Sequence, residues 1–87
     1  MITKYGIDFS SETIRFKVIL EEDDFKREAF VILWRKDIRA VARHESKILI
    51  VLPSGDEFTL DERSDTSAAN SVRYIVDWAF TGRLPGD

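Results

Sequence analysis

The sequence predicts an α+β fold: a mostly antiparallel sheet of about five strands, one short middle helix and a C-terminal amphipathic helix packed on the sheet. Two observations support this prediction. Apolar and polar residues alternate along much of the first two thirds of the chain, which is the two-residue period of strands. Between residues 65 and 82 the period becomes helical, at about 100° per residue. The 87 residues, 44% of them hydrophobic and 33% charged, suit one small domain, residues 1–87.

Five segments have the composition and the alternation that predict strands. Their ranges are residues 5–9, 14–20, 27–34, 47–52 and 57–61. The third and fourth are apolar on both faces, a pattern typical of a central strand covered on both sides. Two helices could cover one face of such a sheet. We therefore expect the other face to be buried by self-association into a homo-oligomer or to bind a partner, unless the sheet curls strongly and closes on itself.

The C-terminal segment, residues 65–82, is predicted to be a helix whose apolar stripe packs on the sheet. The stripe consists of Ala68, Ala69, Val72, Ile75, Val76, Ala79 and Phe80. A side-chain oxygen from one of residues 64–66 (Ser, Asp or Thr) can cap the start, because the first N–H groups of a helix lack partners. Gly82 and Pro85 can end the helix.

Two aromatic residues of this helix lie off the predicted apolar stripe. Tyr74 and Trp78 are four residues apart, so that they stand on the same side of the helix, with Asp77 and Thr81 beside them. Exposed Tyr and Trp side chains are enriched at the anchor positions of protein interfaces. The sequence therefore predicts a partner-binding site formed by Tyr74, Trp78, Asp77 and Thr81. In the alternative interpretation, the N-terminal strand or the tail after the helix folds over the aromatic pair.

Residues 35–47 form a basic segment in an otherwise acidic chain, whose net charge is −3 and whose pI is about 5.1. Its basic residues are Arg35, Lys36, Arg39, Arg43 and Lys47. Apolar spacing favours a short helix over residues 36–44, although a strand over residues 38–43 is the competing interpretation. If all of residues 35–47 are helical, the five cations fall within about one third of the circumference. Such a helix could contact phosphates, which predicts a nucleic-acid-binding site as the alternative to a solvated polar face. The low pI argues against a dedicated nucleic-acid-binding domain.

Motifs for catalysis, metal binding or cofactor binding are absent from the sequence. The chain has no cysteine and one histidine, His44, and its four glycines stand apart from one another rather than in a phosphate-binding loop. The acidic residues near the predicted hairpin at residues 53–57 are expected to be solvated and ionised. We therefore predict a non-enzymatic protein without a catalytic, metal or cofactor site.

The sequence predicts a general class of function and a cellular location. The longest apolar runs, residues 29–34 and 48–52, are far shorter than the roughly 20 residues of a membrane helix, and the first residues lack the pattern of a signal peptide. A cytoplasmic protein that does not bind membranes is therefore expected. The preferred function is a protein-binding module, such as an accessory or inhibitor protein of a bacterium or phage, that acts through the aromatic helix flank or an open sheet face. The alternative is a nucleic-acid-associated regulator that uses the basic segment.

Overall fold

Six strands and one α-helix form the fold of residues 1–85, the part of the chain that the computed structural model describes. The strands are β1 (Ile2–Phe9), β2 (Thr13–Glu22), β3 (Phe25–Trp34), β4 (Ala40–His44), β5 (Lys47–Val51) and β6 (Glu57–Asp61), and the helix is α1 (Asp65–Thr81). One sheet contains all six strands in the order β3-β2-β1-β6-β5-β4. The pairing of β1 with β6 is parallel and the other pairings are antiparallel. The α+β class is confirmed, but the sheet is mixed and has one strand more than predicted.

The additional strand replaces the predicted middle helix. Arg35–Asp37 form a single 3-10 turn, and the chain then enters β4. β4 and β5 make a hairpin in which Val41 lies opposite Ile50. The helix predicted for residues 36–44 is therefore wrong and the competing strand is right. Backbone pairing with β5 and packing of Val41 beside the buried Ile50 outweigh the weak helix preference of so short a segment.

The C-terminal helix has the ends that the sequence predicts. Ser64 precedes the first turn, and its Oγ accepts a hydrogen bond from the N–H of Ser67 at 3.1 Å. Gly82 ends the helix in the left-handed region, with φ 78°, and its N–H donates to the carbonyl of Trp78 at 3.0 Å. A side chain at Gly82 would be strained at this φ, and its Cβ would lie 3.1 Å from the Arg35 guanidinium. The last two residues of the tail, 86 and 87, lie outside the described residues.

The side of α1 that faces the sheet differs from the predicted stripe. The buried residues of the helix are Ala68, Ser71, Ile75 and Trp78. Ala68 and Ile75 of the predicted stripe are buried, and Val72 and Ala79 pack against the core. Ala69 and Phe80 are exposed, so the helix is rotated toward Ser71 and Trp78 relative to the predicted orientation. The large side chain of Trp78 enters the core because its indole N–H finds a hydrogen-bond acceptor there. Ser71 can be buried beside it because its hydroxyl donates to Glu62.

The core lies between α1 and one face of a curled sheet. Its buried apolar residues are Ile14, Phe16, Val18, Ile38, Ile48, Ile50, Leu60, Ala68, Ile75 and Trp78. β3 and β4 are the two edges of the sheet, yet residues 35–39 alone connect them. A flat six-stranded sheet is about 24 Å wide at a strand spacing of about 4.8 Å. Residues 35–39 are too few to span this width, especially because Arg35–Asp37 are wound into a 3-10 turn. The sheet therefore curls around α1.

The strand β3 is an edge of the sheet rather than its centre. Its pairing with β2 runs without a shift along all ten residues of β3. Val31 lies opposite the buried Phe16 and faces α1, whereas Phe30, Ile32 and Trp34 face away from α1. The expectation that this strand is central and covered on both faces is therefore wrong.

Candidate protein-interaction site

Eight large apolar side chains are exposed in the described part of the chain. They are Met1, Tyr5, Phe25, Phe30, Ile32, Trp34, Tyr74 and Phe80. Phe30, Ile32 and Trp34 are 61%, 60% and 52% exposed and stand on the same face of β3 at the two-residue spacing of a strand. We call the surface that they form with Thr13, Arg15 and Lys17 of β2 the β2–β3 outer face. Single exposed apolar residues are common on protein surfaces, whereas contiguous apolar patches are typical of interaction sites, so this row is the candidate site.

Basic side chains border this apolar row. Arg15 of β2 lies opposite Ile32, and its guanidinium is 5.1 Å from the centre of the Phe30 ring. Lys36, in the turn after β3, places Nζ 5.7 Å from the centre of the Trp34 ring. Cation–π contacts contribute about 0.5–1 kcal/mol at exposed sites, enough to bias these side chains toward the positions seen here. The β2–β3 outer face therefore presents aromatic rings and cations together.

The carboxylate of Asp8 on β1 orients one of these cations. Nη2 of Arg15 donates to Oδ2 of Asp8 at 2.8 Å, and both side chains are about half exposed. This hydrogen bond, together with the positive charges of Arg15 and Lys17, lowers the pKa of Asp8 from its ordinary value of 3.8. Asp8 is thus ionised at neutral pH and holds Arg15 at the border of the apolar row.

The partner-binding site predicted on the helix does not form one surface. Trp78 is fully buried, and its indole N–H donates to the carbonyl of Ser10 at 2.7 Å. Its ring meets Phe9 edge to face, with 5.5 Å between the ring centres. The end of β1 thus covers Trp78, as the alternative interpretation expects, whereas Tyr74 is 44% exposed. The prediction that Trp78 is available to a partner is wrong because the helix is rotated toward this residue.

The other residues of that predicted site interact locally. The hydroxyl of Thr81 donates to the carbonyl of Asp77, and the Asp77 carboxylate is 3.7 Å from the guanidinium of Arg83. The Arg73 guanidinium lies 5.3 Å from the centre of the Tyr74 ring. Tyr74 therefore stands among charged and polar groups without the predicted aromatic neighbour. A role for Tyr74 in partner binding stays a prediction.

The basic segment is not helical, and its five cations do not share one face. Arg35 lies in the 3-10 turn, where its Nε donates to the carbonyl of Trp78 at 3.0 Å and so caps the C-terminal end of α1. Arg43 lies opposite Ile48, the neighbour of Lys47, so Arg43 and Lys47 point to opposite faces of the β4–β5 hairpin. The predicted gathering of the cations on a helix is therefore wrong.

Three of these basic residues do come together in a different way. A surface depression is lined by Arg35, Lys36 and Arg39 together with Phe80 and the acidic Glu12. Arg35 is already hydrogen-bonded to the end of α1, and a helix C-terminus carries partial negative charge that disfavours anions. An anion in this depression would depend mainly on Lys36 and Arg39.

The most buried ion pair of the described residues links β1 to the segment before α1. Nζ of Lys4 is 3.0 Å from Oε1 of Glu62, and the two side chains are 10% and 5% exposed. Ser71 donates a hydrogen bond to the same Glu62 oxygen at 3.1 Å. These groups satisfy one another, which is the arrangement of a structural brace. Within residues 1–85, no group of three His, Cys, Asp or Glu side chains is placed to hold a metal ion, and no helix is long and apolar enough to span a membrane.

Comparison of the chain with family models, curated proteins and solved structures gives no significant match. A proposal for function therefore depends on the surfaces described above. Sequence reasoning recognises that one sheet face lacks cover, but it does not place Phe30, Ile32 or Trp34 among the candidate site residues. The signal that could have found them is the uncharged run of residues 29–34, which belongs to the long edge strand β3.

Proposed function

We propose that this protein is a non-enzymatic binding module that engages another protein through the β2–β3 outer face. The observation that carries the proposal is the row of Phe30, Ile32 and Trp34, each more than half exposed on one face of one strand. Leaving these side chains in water costs free energy, since burial of apolar surface is worth about 25 cal/mol per Å². A partner that covers the row recovers part of this free energy as binding affinity.

The composition of the surface supports the proposal. Protein interfaces have an apolar centre, rich in aromatic residues, inside a polar and charged border. Phe30, Ile32 and Trp34 supply the centre here, and Arg15 and Lys17 supply one border. Trp and Arg are enriched among the residues that dominate binding energy. The β2–β3 outer face contains both residue types, Trp34 on β3 and Arg15 on β2.

The side of α1 that carries Tyr74 and Trp78 is a weaker candidate for the binding surface. Its predicted anchor, Trp78, is part of the core and cannot contact a partner without unfolding α1. Tyr74 alone offers a single half-exposed ring. The sheet face is therefore the preferred binding surface, and Tyr74 serves as the matched control in its test.

The test compares capture of the partner by variants of the two surfaces. Tagged wild-type protein, the double variant Ile32→Ser with Trp34→Ser, and Tyr74→Ser are used for affinity purification from the native host. The captured protein is then purified, and its affinity for each variant is measured by isothermal titration calorimetry. We expect the double variant to bind at least about tenfold more weakly, because truncating an anchor costs about 2 kcal/mol or more, and Tyr74→Ser to bind like the wild type.

The outcomes of this test separate the two surfaces. Circular dichroism melts first establish that all three proteins are folded, which is expected because the changed residues are exposed. A double variant with wild-type affinity contradicts the proposal. If Tyr74→Ser loses binding instead, the helix flank is the site.

A nucleic-acid-associated regulator is the second candidate function. One observation favours it: Arg35, Lys36 and Arg39 line a common depression next to an exposed aromatic residue, Phe80. Aromatic and basic side chains together bind single-stranded nucleic acids. Fluorescence anisotropy with a labelled oligonucleotide at low and physiological salt tests this function. Binding that weakens steeply with salt and is lost in Lys36→Ala with Arg39→Ala would support it; the protein-binding proposal expects no such binding.

A further inference from the structure

The free edge of β3 is long, and its second half lacks the features that usually protect edge strands. β3 has ten residues and no proline, and its register with β2 runs without a shift. Lys26, Arg27 and Glu28 place charges in the first half of β3, but residues 29–34 carry no charge. Natural edge strands are usually short, charged or bulged, because an exposed row of backbone N–H and C=O groups pairs with other strands. The opposite edge follows this rule, since β4 has five residues and ends in Arg43 and His44.

The two ends of the β3 edge carry opposite charges. The acidic residues 22–24 lie at the turn before β3, and Arg35 and Lys36 follow its other end. If two copies of β3 pair antiparallel about a two-fold axis, the acidic end of each copy lies beside the basic end of the other. A parallel pairing would place like charges side by side. We propose that β3 pairs antiparallel with β3 of a second copy, so that the two sheets continue into one another in a homodimer.

The faces, the charges and one aromatic pair together fix the register of this pairing. The outer faces of the two sheets must continue one another, so even-numbered residues lie opposite even-numbered residues. With Phe30 opposite Phe30 of the second copy, Lys26 comes to lie opposite Trp34 and Asp24 beside Lys36. A shift that brings Val31 opposite Val31 sets Lys26 against Lys36, a contact of like charges. The opposite shift still brings an acidic residue, Glu22, beside Lys36, but it sets Phe30 against Glu28 and so loses the aromatic pair.

This dimer would join the β2–β3 outer faces of the two copies into one surface. Both faces lie on the same side of the joined sheet, with Phe30 at the two-fold axis. The apolar row doubles to two copies each of Phe30, Ile32 and Trp34. The pairing follows from the edge of β3 alone, whereas the use of the joined surface by a partner protein rests on the proposed function.

Sedimentation equilibrium of charge-swap variants tests the pairing. Wild type, Lys36→Glu, Asp24→Lys and the double variant are compared from low micromolar to near-millimolar concentration. We expect the wild-type mass to rise from the monomer value of 10.1 kDa toward twice that value. Each single change should weaken dimerisation roughly tenfold, because two contacts per dimer turn from attraction to repulsion. The double variant should recover most of the wild-type dissociation constant, since it exchanges the two charges.

A matched control separates pairing from net charge. Arg73→Glu on α1 changes the net charge by the same amount as Lys36→Glu, but it lies on the helix and should leave the dissociation constant unchanged. A wild-type protein that stays at 10.1 kDa throughout overturns the dimer. A dimer whose double variant fails to recover overturns the register with Phe30 opposite Phe30. Neither result bears on partner capture, so failure of the dimer and failure of the proposed function are distinguishable.

Discussion

Replacement of Trp78 by alanine is the sharpest test of how α1 packs on the sheet. A helix oriented by the predicted stripe would expose Trp78 beside Tyr74, and its truncation would then hardly affect stability. In the structure Trp78 is 0% exposed, its indole N–H donates to the carbonyl of Ser10, and its ring packs on Phe9. We therefore predict that Trp78→Ala destabilises the domain severely.

The magnitude follows from the burial of the side chain. A buried tryptophan removes about 200 Å² from water, worth about 5 kcal/mol at about 25 cal/mol per Å², and measured Trp→Ala changes in cores cost about 3–5 kcal/mol. A domain of this size has about 4–13 kcal/mol of total stability, at roughly 0.05–0.15 kcal/mol per residue. Trp78→Ala should therefore lower the Tm by at least about 12 °C, at about 4–8 °C per kcal/mol.

Thermal and urea melts followed by circular dichroism measure this effect. Trp78→Phe keeps most of the ring but leaves the Ser10 carbonyl without its donor, and should cost about 1–3 kcal/mol. Tyr74→Ala on the same helix is the control and should cost less than about 1 kcal/mol, since its side chain is 44% exposed. A Trp78→Ala protein as stable as Tyr74→Ala would refute the orientation of α1.

Three further predictions concern the core, the buried ion pair and pH. Ile75→Asp should unfold the domain, because it places an unpaired charge in the core, and a melt without a cooperative transition checks this. Lys4→Met should cost about 3 kcal/mol in urea melts, because it leaves the buried Glu62 carboxylate without its cation. An NMR titration should place the pKa of Asp8 below 3.8, and Arg15→Ala should raise it. Since the pKa is lowered on folding, the stability contributed by Asp8 is present above pH 3.8 and is lost as the pH falls through the folded-state pKa.

Local signals in the sequence were sufficient for the fold class and for the ends of the helix. Ser64 and Gly82 act as the cap residues that their positions predict. The orientation of the helix was harder to predict, because it depends on partners distant in sequence. Trp78 is buried by the end of β1, and Ser71 is buried because Glu62 accepts its hydrogen bond. The spacing of apolar residues along the helix gives no information about either contact, because both partners lie outside the helix.

The position of β3 in the sheet also depends on contacts between residues that are distant in sequence. An apolar run on both faces fits a central strand, but strand order is decided by the parallel pairing of β1 with β6, which leaves β3 at the edge. The segment after β3 shows the same limit. Its apolar spacing favours a short helix over a strand, but pairing with β5 decides for the strand. The candidate site follows from this topology, because Phe30, Ile32 and Trp34 are exposed as members of an edge strand.

Acrylamide quenching of the two tryptophans tests the central claim most directly: Trp34 is exposed on the β2–β3 outer face, whereas Trp78 of α1 is buried in the core. The proteins Trp78→Phe and Trp34→Phe each retain one tryptophan, and both are measured at submicromolar concentration, where dimers dissociate. We predict strong quenching and red-shifted emission for Trp34, which is 52% exposed, and weak quenching with blue-shifted emission for Trp78, which is 0% exposed. A Trp78 that is quenched as readily as Trp34 would contradict the account.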